Sequence, residues 1–336
     1  MPTALVAGIK LTMELVTNLY TLLEYWRWPL NDYAEPGGAV IDGAKIPKNL
    51  LGCLTETDFS LATHETLAKA LEQDGYIFGR GLIDEGEVEA ARNEVFQRLG
   101  EVDELEKPFE NGIFSGRSRR DQLHLDRGKF WESVSSGRAL RKVTNGSTLH
   151  NVATKIFGRQ AVGFDYLFLR AVPEGRFTHL HCDAGFFTRF TDKVLTCWIV
   201  LTEIPFDKGP LFIVEGSHKY QDIKDNFKGF DVDRDKEKKA SIDADPVAFV
   251  KQRKARFLSA IFRPGDILFL GMYTVHGAFE HHAADSRIRL TCDIRYQPKS
   301  EPLDPRYFGT ELGGTTGAGY GELNGARPLP EDWHIR

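Results

Sequence analysis

The sequence predicts a mainly β protein, an antiparallel sandwich or barrel with flanking helices. From Phe164 onward, short segments rich in β-branched and aromatic residues are separated by Gly, Pro and Asp turns: FDYLFLRAV, RFTHLHCD, KVLTCWIVLTEI, PLFIVEG, DILFLG, YTVHGAF and RIRLTCDIRYQ. No helical pattern recurs between them, which argues against parallel βαβ units. The 23 Phe among 336 residues suit a sheet-rich core that encloses an apolar pocket.

The first 160 residues predict a mainly helical layer. Residues 11–26 have the apolar spacing of a helix, and Pro29 ends it. Its apolar stripe would pack on the protein's own core or on the second subunit of a homodimer, with a membrane surface as the alternative. Helices are also predicted over residues 63–74, from the N-cap Asp84 onward, and over residues 149–157. A strand is predicted at residues 76–79.

A single domain over residues 1–336 is the expected organisation. Its β core spans 161–300 and carries a long charged insertion at 219–263, of the kind that forms lids or binding loops. The tail over 301–336 is rich in glycine without phosphate-loop spacing, which predicts a draping segment.

The composition, 41% hydrophobic and 27% charged, is that of an ordinary globular protein. The net charge of -5 does not favour nucleic acid or an anionic membrane as a partner. The four cysteines are scattered without a CxxC pair, which is typical of reduced thiols in the cytoplasm. Since the chain shows neither a signal peptide nor a run of ~20 apolar residues, we expect no membrane insertion and a cytoplasmic protein.

The segment THLHCDAG, at residues 178–185, carries candidate metal ligands. Residues two apart on a strand share a face, so His179, His181 and Asp183 could each ligate a metal. A His-x-Asp pair alone is a weak signal, and His276 on a later strand strengthens it. Two His and one carboxylate form the facial triad of non-haem iron(II) oxygenases, which leaves three positions open for a 2-oxo acid and dioxygen. If His179 and His181 both bound the metal, the site would instead be of a cupin type.

A 2-oxo acid with a second carboxylate also needs a cation. The strand RIRLTCDIRY offers Arg287, Arg289 and Arg295 on one face, and a guanidinium suits a carboxylate because it forms two parallel hydrogen bonds. The residue type does not choose among the three. Spacing favours Arg287, which lies eleven positions after His276.

Taken together, these motifs resemble the phytanoyl-CoA dioxygenase family of iron(II)- and 2-oxoglutarate-dependent oxygenases. The segments LAKALEQDGYIFGRGLID, HCD, WIVLTEIPFDKGPLFIVEGSH and RPGDILFLGMYTVHGAF occur in the order and at the approximate spacing of that family. The resemblance implies a double-stranded β-helix (a cupin-like jelly roll) with His181, Asp183 and His276 as iron ligands. It implies Arg287 as the 2-oxoglutarate anchor and hydroxylation, or another oxidation, of an unactivated C–H bond.

Other residues are candidates for the pocket walls, with core packing as the alternative for each. Thr196 and Trp198 are candidates for the cosubstrate side, and Phe186, Phe187, Arg189 and Arg295 for the substrate side. Two other functions stay open: a cupin-like metalloenzyme that does not use 2-oxoglutarate, and a catalytically silent relative that serves as a binding module. His281 and His282 are expected to be solvated loop residues.

Overall fold

The computed structural model describes residues 38–123, 127–235, 237–242 and 244–308. Within these ranges the chain forms two five-stranded sheets that face each other, with helices against the outer side of one sheet. This arrangement confirms the predicted mainly β architecture with flanking helices. The helix predicted over 11–26 and the tail from residue 309 lie outside the described residues.

The strands define the two sheets. In chain order they are β1 Val40–Ile41, β2 Ala44–Lys45, β3 Leu51–Cys53, β4 Tyr76–Gly79, β5 Ala161–Val172, β6 Arg176–His181, β7 Leu195–Val200, β8 Leu211–Val214, β9 Phe257–Ser259, β10 Ile267–Gly271, β11 His276–His281 and β12 Arg289–Pro298. The first sheet has the order β4-β10-β7-β12-β5 and is antiparallel throughout. The second has the order β3-β9-β8-β11-β6 and is antiparallel except for the pair β3 and β9. Strands β1 and β2 form a separate hairpin.

Some of the helices begin at a residue whose side chain caps them. The helices are α1 His64–Asp74, α2 Glu85–Glu101, α3 Arg120–Leu123, α4 Arg127–Ser135, α5 Arg138–Asn145, α6 Ser147–Phe157, α7 Ala184–Phe187, α8 Gln221–Phe227 and α9 Pro246–Gln252. Asp84 caps α2 as predicted, because its side chain accepts a hydrogen bond of 3.2 Å from the Glu87 amide. Leu67 and Val95 belong to the apolar layer between these helices and the first sheet. Across the described parts of the chain, no helix has the length and apolar character needed to cross a membrane.

Side-chain alternation in the first sheet decides which residues reach the interior between the sheets. In β7, Ile199 joins the layer under the helices, whereas Trp198 packs toward the second sheet. The ladder pairs Trp198 with Asp293 and Thr196 with Arg295. Polar groups of β12 therefore project into the same interior as the aromatic ring of Trp198.

The predicted insertion at 219–263 is partly helical, as expected from the sequence, and also contains a strand that the sequence did not indicate. After α8 and α9 it ends in β9, which pairs with both β3 and β8. The Ile242 amide donates a hydrogen bond of 2.8 Å to the Leu180 carbonyl, and Ser241 forms a bridge with His181. Because β6 is the last strand of its sheet, this contact covers an edge that would otherwise be open.

Candidate metal centre and its pocket

The two histidines and the aspartate that were predicted as metal ligands lie together between the sheets. His181 ends β6, Asp183 precedes α7, and His276 begins β11 opposite His181 in the ladder. All three are buried, and their ligand atoms lie within 4.8 Å of one another. The imidazole centroids are 4.2 Å apart. This donor set of two imidazoles and one carboxylate suits an iron(II) ion and leaves further coordination positions open.

Backbone contacts fix the orientation of both imidazoles. Nδ1 of His181 lies 2.9 Å from the His179 carbonyl, and Nδ1 of His276 lies 2.9 Å from the Thr274 carbonyl. Each Nδ1 therefore carries the proton and donates, which leaves the Nε2 lone pair free for a metal. Burial lowers the pKa of His181 to about 3 and also lowers the pKa of His276. Both rings are neutral near pH 7, as a metal ligand must be.

The carboxylate of Asp183 is held by two side chains of the first sheet. Arg295 Nη2 donates a hydrogen bond of 3.1 Å to Oδ2, and the Thr196 hydroxyl donates to the same oxygen. Burial on its own would raise the pKa of Asp183, but the charge of Arg295, the neighbouring imidazoles and the Thr196 hydrogen bond together outweigh it and hold the pKa below the usual range. The aspartate is thus ionised and oriented before any metal binds. Arg295, predicted to bind substrate, instead contacts this ligand.

A bulge in β6 separates His179 from His181. The ladder pairs His276 with His181 and Ala278 with Thr178, so β6 has one more residue than β11 between these pairs. The bulge turns Thr178 and His181 toward the pocket, while the ring of His179 packs against Phe177 at 4.6 Å. The expectation that His179 shares the ligand face was therefore wrong, because it assumed uninterrupted alternation.

Charged side chains surround the metal ligands in a small pocket. Its lining residues are Arg170, Thr178, His181, Asp183, Trp198, Leu211, His276, Gly277, Ala278, Arg289, Asp293 and Arg295. Arg170 forms an ion pair with Asp293, and Arg295 forms one with Asp183. Arg170 and Asp293 were missed by the sequence analysis, although a charged residue inside an apolar strand is a signal that could have found them.

Arg289 is also buried in this pocket, but its side chain forms no hydrogen bond with a carboxylate of the described residues. Its Nη1 donates to the Gly209 carbonyl, and its Nε is buried without a partner in the described parts of the chain. Burial, followed by the nearby charge of Arg170, lowers the pKa of Arg289 to about 9. A buried guanidinium of this kind is stabilised by an anion, because an unpaired buried charge is costly.

The structure does not place Arg287 in this pocket. Its side chain is 53% exposed and lines a separate cleft, where its Nε lies 3.9 Å from Oδ2 of Asp285. Strand β12 begins only at Arg289, after Ser286 takes a positive φ of 55°. The prediction placed Arg287 on the same face as Arg289 because it assumed that the strand already includes residue 287. Since the strand begins later, the assignment of the cosubstrate anchor to Arg287 is corrected.

Three of the predicted substrate-side residues, Phe186, Phe187 and Arg189, do not line the pocket, whereas Arg295 does. Phe186 and Phe187 are buried in an apolar cluster on α7 and do not line it. Arg189 forms two hydrogen bonds, of 2.7 and 2.6 Å, with the carboxylate of Asp231. Trp198, by contrast, lines the pocket as predicted. His281 was predicted to be a solvated loop residue, but it is fully buried.

Comparison with known proteins agrees with this geometry. Residues 71–289 match the family model of phytanoyl-CoA dioxygenase (PhyH). No curated protein sequence gives a significant match.

Solved structures with a similar fold include EctD from S. alaskensis. Its apo form has a TM-score of 0.52 at 16% identity, over 78% of this chain and 87% of that chain. Its complex with 2-oxoglutarate and 5-hydroxyectoine has a TM-score of 0.51 at 16% identity, over 82% and 87%. The epimerase SnoN, described as non-heme and alpha ketoglutarate dependent, from nogalamycin biosynthesis, has a TM-score of 0.48 at 20% identity, over 75% and 88%. The likeness to EctD confirms the double-stranded β-helix.

Proposed function

Since this chain belongs to the phytanoyl-CoA dioxygenase family, and is therefore an iron(II)- and 2-oxoglutarate-dependent oxygenase, we propose that it oxidises an unactivated C–H bond of a small-molecule metabolite. The reaction couples hydroxylation, or a related oxidation, to the conversion of 2-oxoglutarate and dioxygen into succinate and carbon dioxide. The observation that carries the proposal is the convergence of His181, Asp183 and His276 beside the buried Arg289.

In this proposal the three buried donors hold the iron. The two Nε2 atoms and the second oxygen of Asp183 are the donor atoms left for a metal, because both Nδ1 atoms contact backbone carbonyls and Oδ2 accepts from Arg295 and Thr196. The ligand atoms of the three residues lie within 4.8 Å of one another. One protein oxygen and two nitrogens leave positions for the cosubstrate and dioxygen. When bound, the iron supplies the activation of dioxygen that the side chains of the chain lack.

Arg289 binds the distal carboxylate of 2-oxoglutarate. It lines the same pocket as the metal ligands, and its Nε is free to donate to an anion. A charge-assisted pair of hydrogen bonds would satisfy this guanidinium and set the distance between the distal carboxylate and the metal. It would also raise the lowered pKa of Arg289, since a bound anion stabilises the charged form.

The remaining pocket residues orient the ligands and exclude water. Trp198 packs its ring against Phe262 with centroids 4.8 Å apart, which closes one side of the pocket with apolar surface. Arg170 and Asp293 neutralise each other within the lining. A pocket of this kind keeps the reacting groups away from bulk solvent.

Two alternatives make different predictions for the same pocket. A cupin-like enzyme that does not use 2-oxoglutarate would leave Arg289 without an anion. A catalytically silent binding relative would have no reason to keep all three metal ligands in one geometry. Arg289 therefore speaks against the first alternative, and the intact ligand set speaks against the second.

The proposal is tested with anaerobically purified protein. Addition of iron(II) and then 2-oxoglutarate should produce a weak visible charge-transfer band, and admission of oxygen should release succinate slowly. The Asp183→Ala variant should give neither signal. A wild-type protein that binds iron but shows no band and no succinate would contradict the proposal. A panel of candidate metabolites that accelerates succinate release then identifies the substrate.

A further inference from the structure

A second buried carboxylate, Asp231, lies in the loop after α8, outside the metal pocket. It is 3% exposed. Its Oδ2 accepts from Arg189 Nε at 2.7 Å and from Arg306 Nη2 at 3.2 Å, and its Oδ1 accepts from Arg189 Nη2 at 2.6 Å. The amides of Asp233 and Arg234 also donate to Oδ1, at 3.0 and 3.1 Å. A carboxylate with this many donors has a single orientation and fixes its partners in turn.

The partners of Asp231 are attached to the turn that follows the metal ligand Asp183. The amides of Phe186 and Phe187 donate to the Asp183 carbonyl, at 3.1 and 3.3 Å. Arg306, which bonds Asp231, also donates to the Phe186 carbonyl at 3.3 Å. Asp231 therefore holds this turn through Arg306, whose side chain directly contacts the backbone of the turn.

Two further contacts hold the same turn against the loop that carries Asp231. The Val232 amide donates to the Gly185 carbonyl at 3.0 Å. A Cβ on Gly185 would lie 2.7 Å from the Phe230 ring, so the loop packs directly on the backbone of this glycine. The turn cannot move toward this loop without displacing Phe230, and movement away from it would break the Val232 hydrogen bond.

The turn also touches the side chain that orients the Asp183 carboxylate. The guanidinium of Arg295 lies over the ring of Phe187, at 4.1 Å from the centroid, and donates to Asp183 at 3.1 Å. A displaced turn would therefore disturb Asp183 twice, through its own backbone and through Arg295.

We propose that Asp231 is a positioning residue of the metal centre, which sets the orientation of the Asp183 carboxylate by clamping the 184–189 turn. The inference rests on the proposed role of Asp183 as an iron ligand. Metal sites tolerate displacements of roughly 0.5 Å, and the loss of groups that orient a ligand typically weakens metal binding by about 10- to 100-fold. Because Asp231 acts through intervening residues, we expect a loss near the lower value.

The test uses Co(II) as a probe, because its visible absorption reports coordination geometry without any turnover. The full-length chain is titrated with Co(II) as wild type, as Asp231→Asn and as Asp266→Asn. Asp266 is a matched control: it is 1% exposed, accepts from Arg80 at 2.7 Å and from the Gly81 and Arg263 amides at 3.0 and 2.8 Å. None of these three partners belongs to the 184–189 turn.

The expected result is that both variants lose thermal stability, but only Asp231→Asn weakens Co(II) binding, by about ten-fold, and alters the Co(II) spectrum. Unchanged Co(II) affinity and spectrum in Asp231→Asn would overturn the inference. A wild-type chain that binds no Co(II) would overturn the proposed metal site itself, which is a distinguishable failure.

If Asp231→Asn does not fold, Arg189→Gln replaces it. Arg189 has a side chain that is 30% exposed, so its substitution leaves no buried cavity. It removes the two hydrogen bonds from Arg189 to Asp231 while Arg306 remains. We expect a weaker loss of Co(II) affinity, of about three-fold, with the same spectral change, and an unaltered spectrum would overturn the inference.

Discussion

Arg295 donates a hydrogen bond of 3.1 Å to the carboxylate of Asp183, although 112 residues separate them in the sequence. Both side chains are buried, with exposed fractions of 4% and 6%. A bound metal would therefore share this aspartate with Arg295. In the metal-free protein Arg295 is the nearest full charge that compensates this buried anion.

Removal of Arg295 should make the stability of the protein depend strongly on the metal. In the Arg295→Met variant, the metal-free protein should lose about 3–5 kcal/mol of unfolding free energy, because a buried carboxylate is left uncompensated. A bound metal supplies the missing positive charge and should restore a large part of this loss. Urea unfolding with and without Co(II) measures both quantities.

Arg120→Met is the control for this prediction. Arg120 forms a buried ion pair with Glu104, with exposed fractions of 2% and 7%, and neither lines the metal pocket. Its variant should lose stability equally with and without Co(II). Equal losses in Arg295→Met under both conditions would contradict the proposed sharing of Asp183.

Arg289, and not Arg287, should control the affinity for 2-oxoglutarate. Loss of a hydrogen bond to a charged group costs about 1.5–3 kcal/mol, so Arg289→Ala should raise the dissociation constant of the cosubstrate by about 10- to 100-fold. Arg287→Ala should leave it unchanged, because that side chain is exposed outside the pocket. Titration of the anaerobic charge-transfer band measures both variants. A loss confined to Arg287→Ala would return the anchor to that residue.

The sequence predicted the parts of the site that depend on regular alternation. Spacing along strands indicated His179, His181, Asp183 and His276 as candidate ligands, and the family resemblance selected His181. The structure brings His181, Asp183 and His276 together. Arg287 and His179 were misplaced for local reasons. The chain turns at Ser286 before β12 begins, and β6 contains a bulge beside His181. Neither a strand start nor a bulge leaves a pattern in the sequence that periodicity can detect.

Contacts between distant segments account for two other errors. Arg189 follows the ligand segment and was therefore predicted to line the pocket. Its guanidinium instead forms an ion pair with Asp231, 42 positions away in the sequence. Strand β9 was missed because its three residues follow a highly charged segment and pair in parallel with β3. Such partners become visible only once the chain is folded, since no local pattern encodes them.

The bulge in β6 makes the two histidines beside it unequal. His181→Ala should weaken Co(II) binding by more than the 10- to 100-fold that is typical when a residue that only orients a ligand is lost, because it removes a ligand itself. His179→Ala should bind Co(II) as the wild type does, since its ring packs against Phe177 and its backbone carbonyl still accepts from His181. Co(II) titration of the two variants side by side decides this. Equal losses in both would favour the cupin-type site.

Acid should destabilise the protein partly through His281. This ring is fully buried, its Nε2 lies 2.7 Å from the Arg287 carbonyl, and burial lowers its pKa to about 4. The hydrogen bond to the Arg287 carbonyl and, more weakly, the charge of Asp285 raise this pKa, whereas the charges of Arg289 and Lys208 lower it further.

The sign of this pH dependence follows from proton binding. In the unfolded chain His281 takes up a proton as the pH falls through about 6.5, whereas in the folded protein it does so only near pH 4. The unfolded state binds more protons in that window, so stability falls as the pH falls. From pH 6.5 to pH 5 the contribution is about 2 kcal/mol. In His281→Gln, whose amide can still donate to the Arg287 carbonyl, the unfolding free energy should fall less steeply between pH 7 and pH 5. Urea unfolding of the metal-free proteins at both pH values measures the slopes, and identical slopes would remove His281 from the acid response.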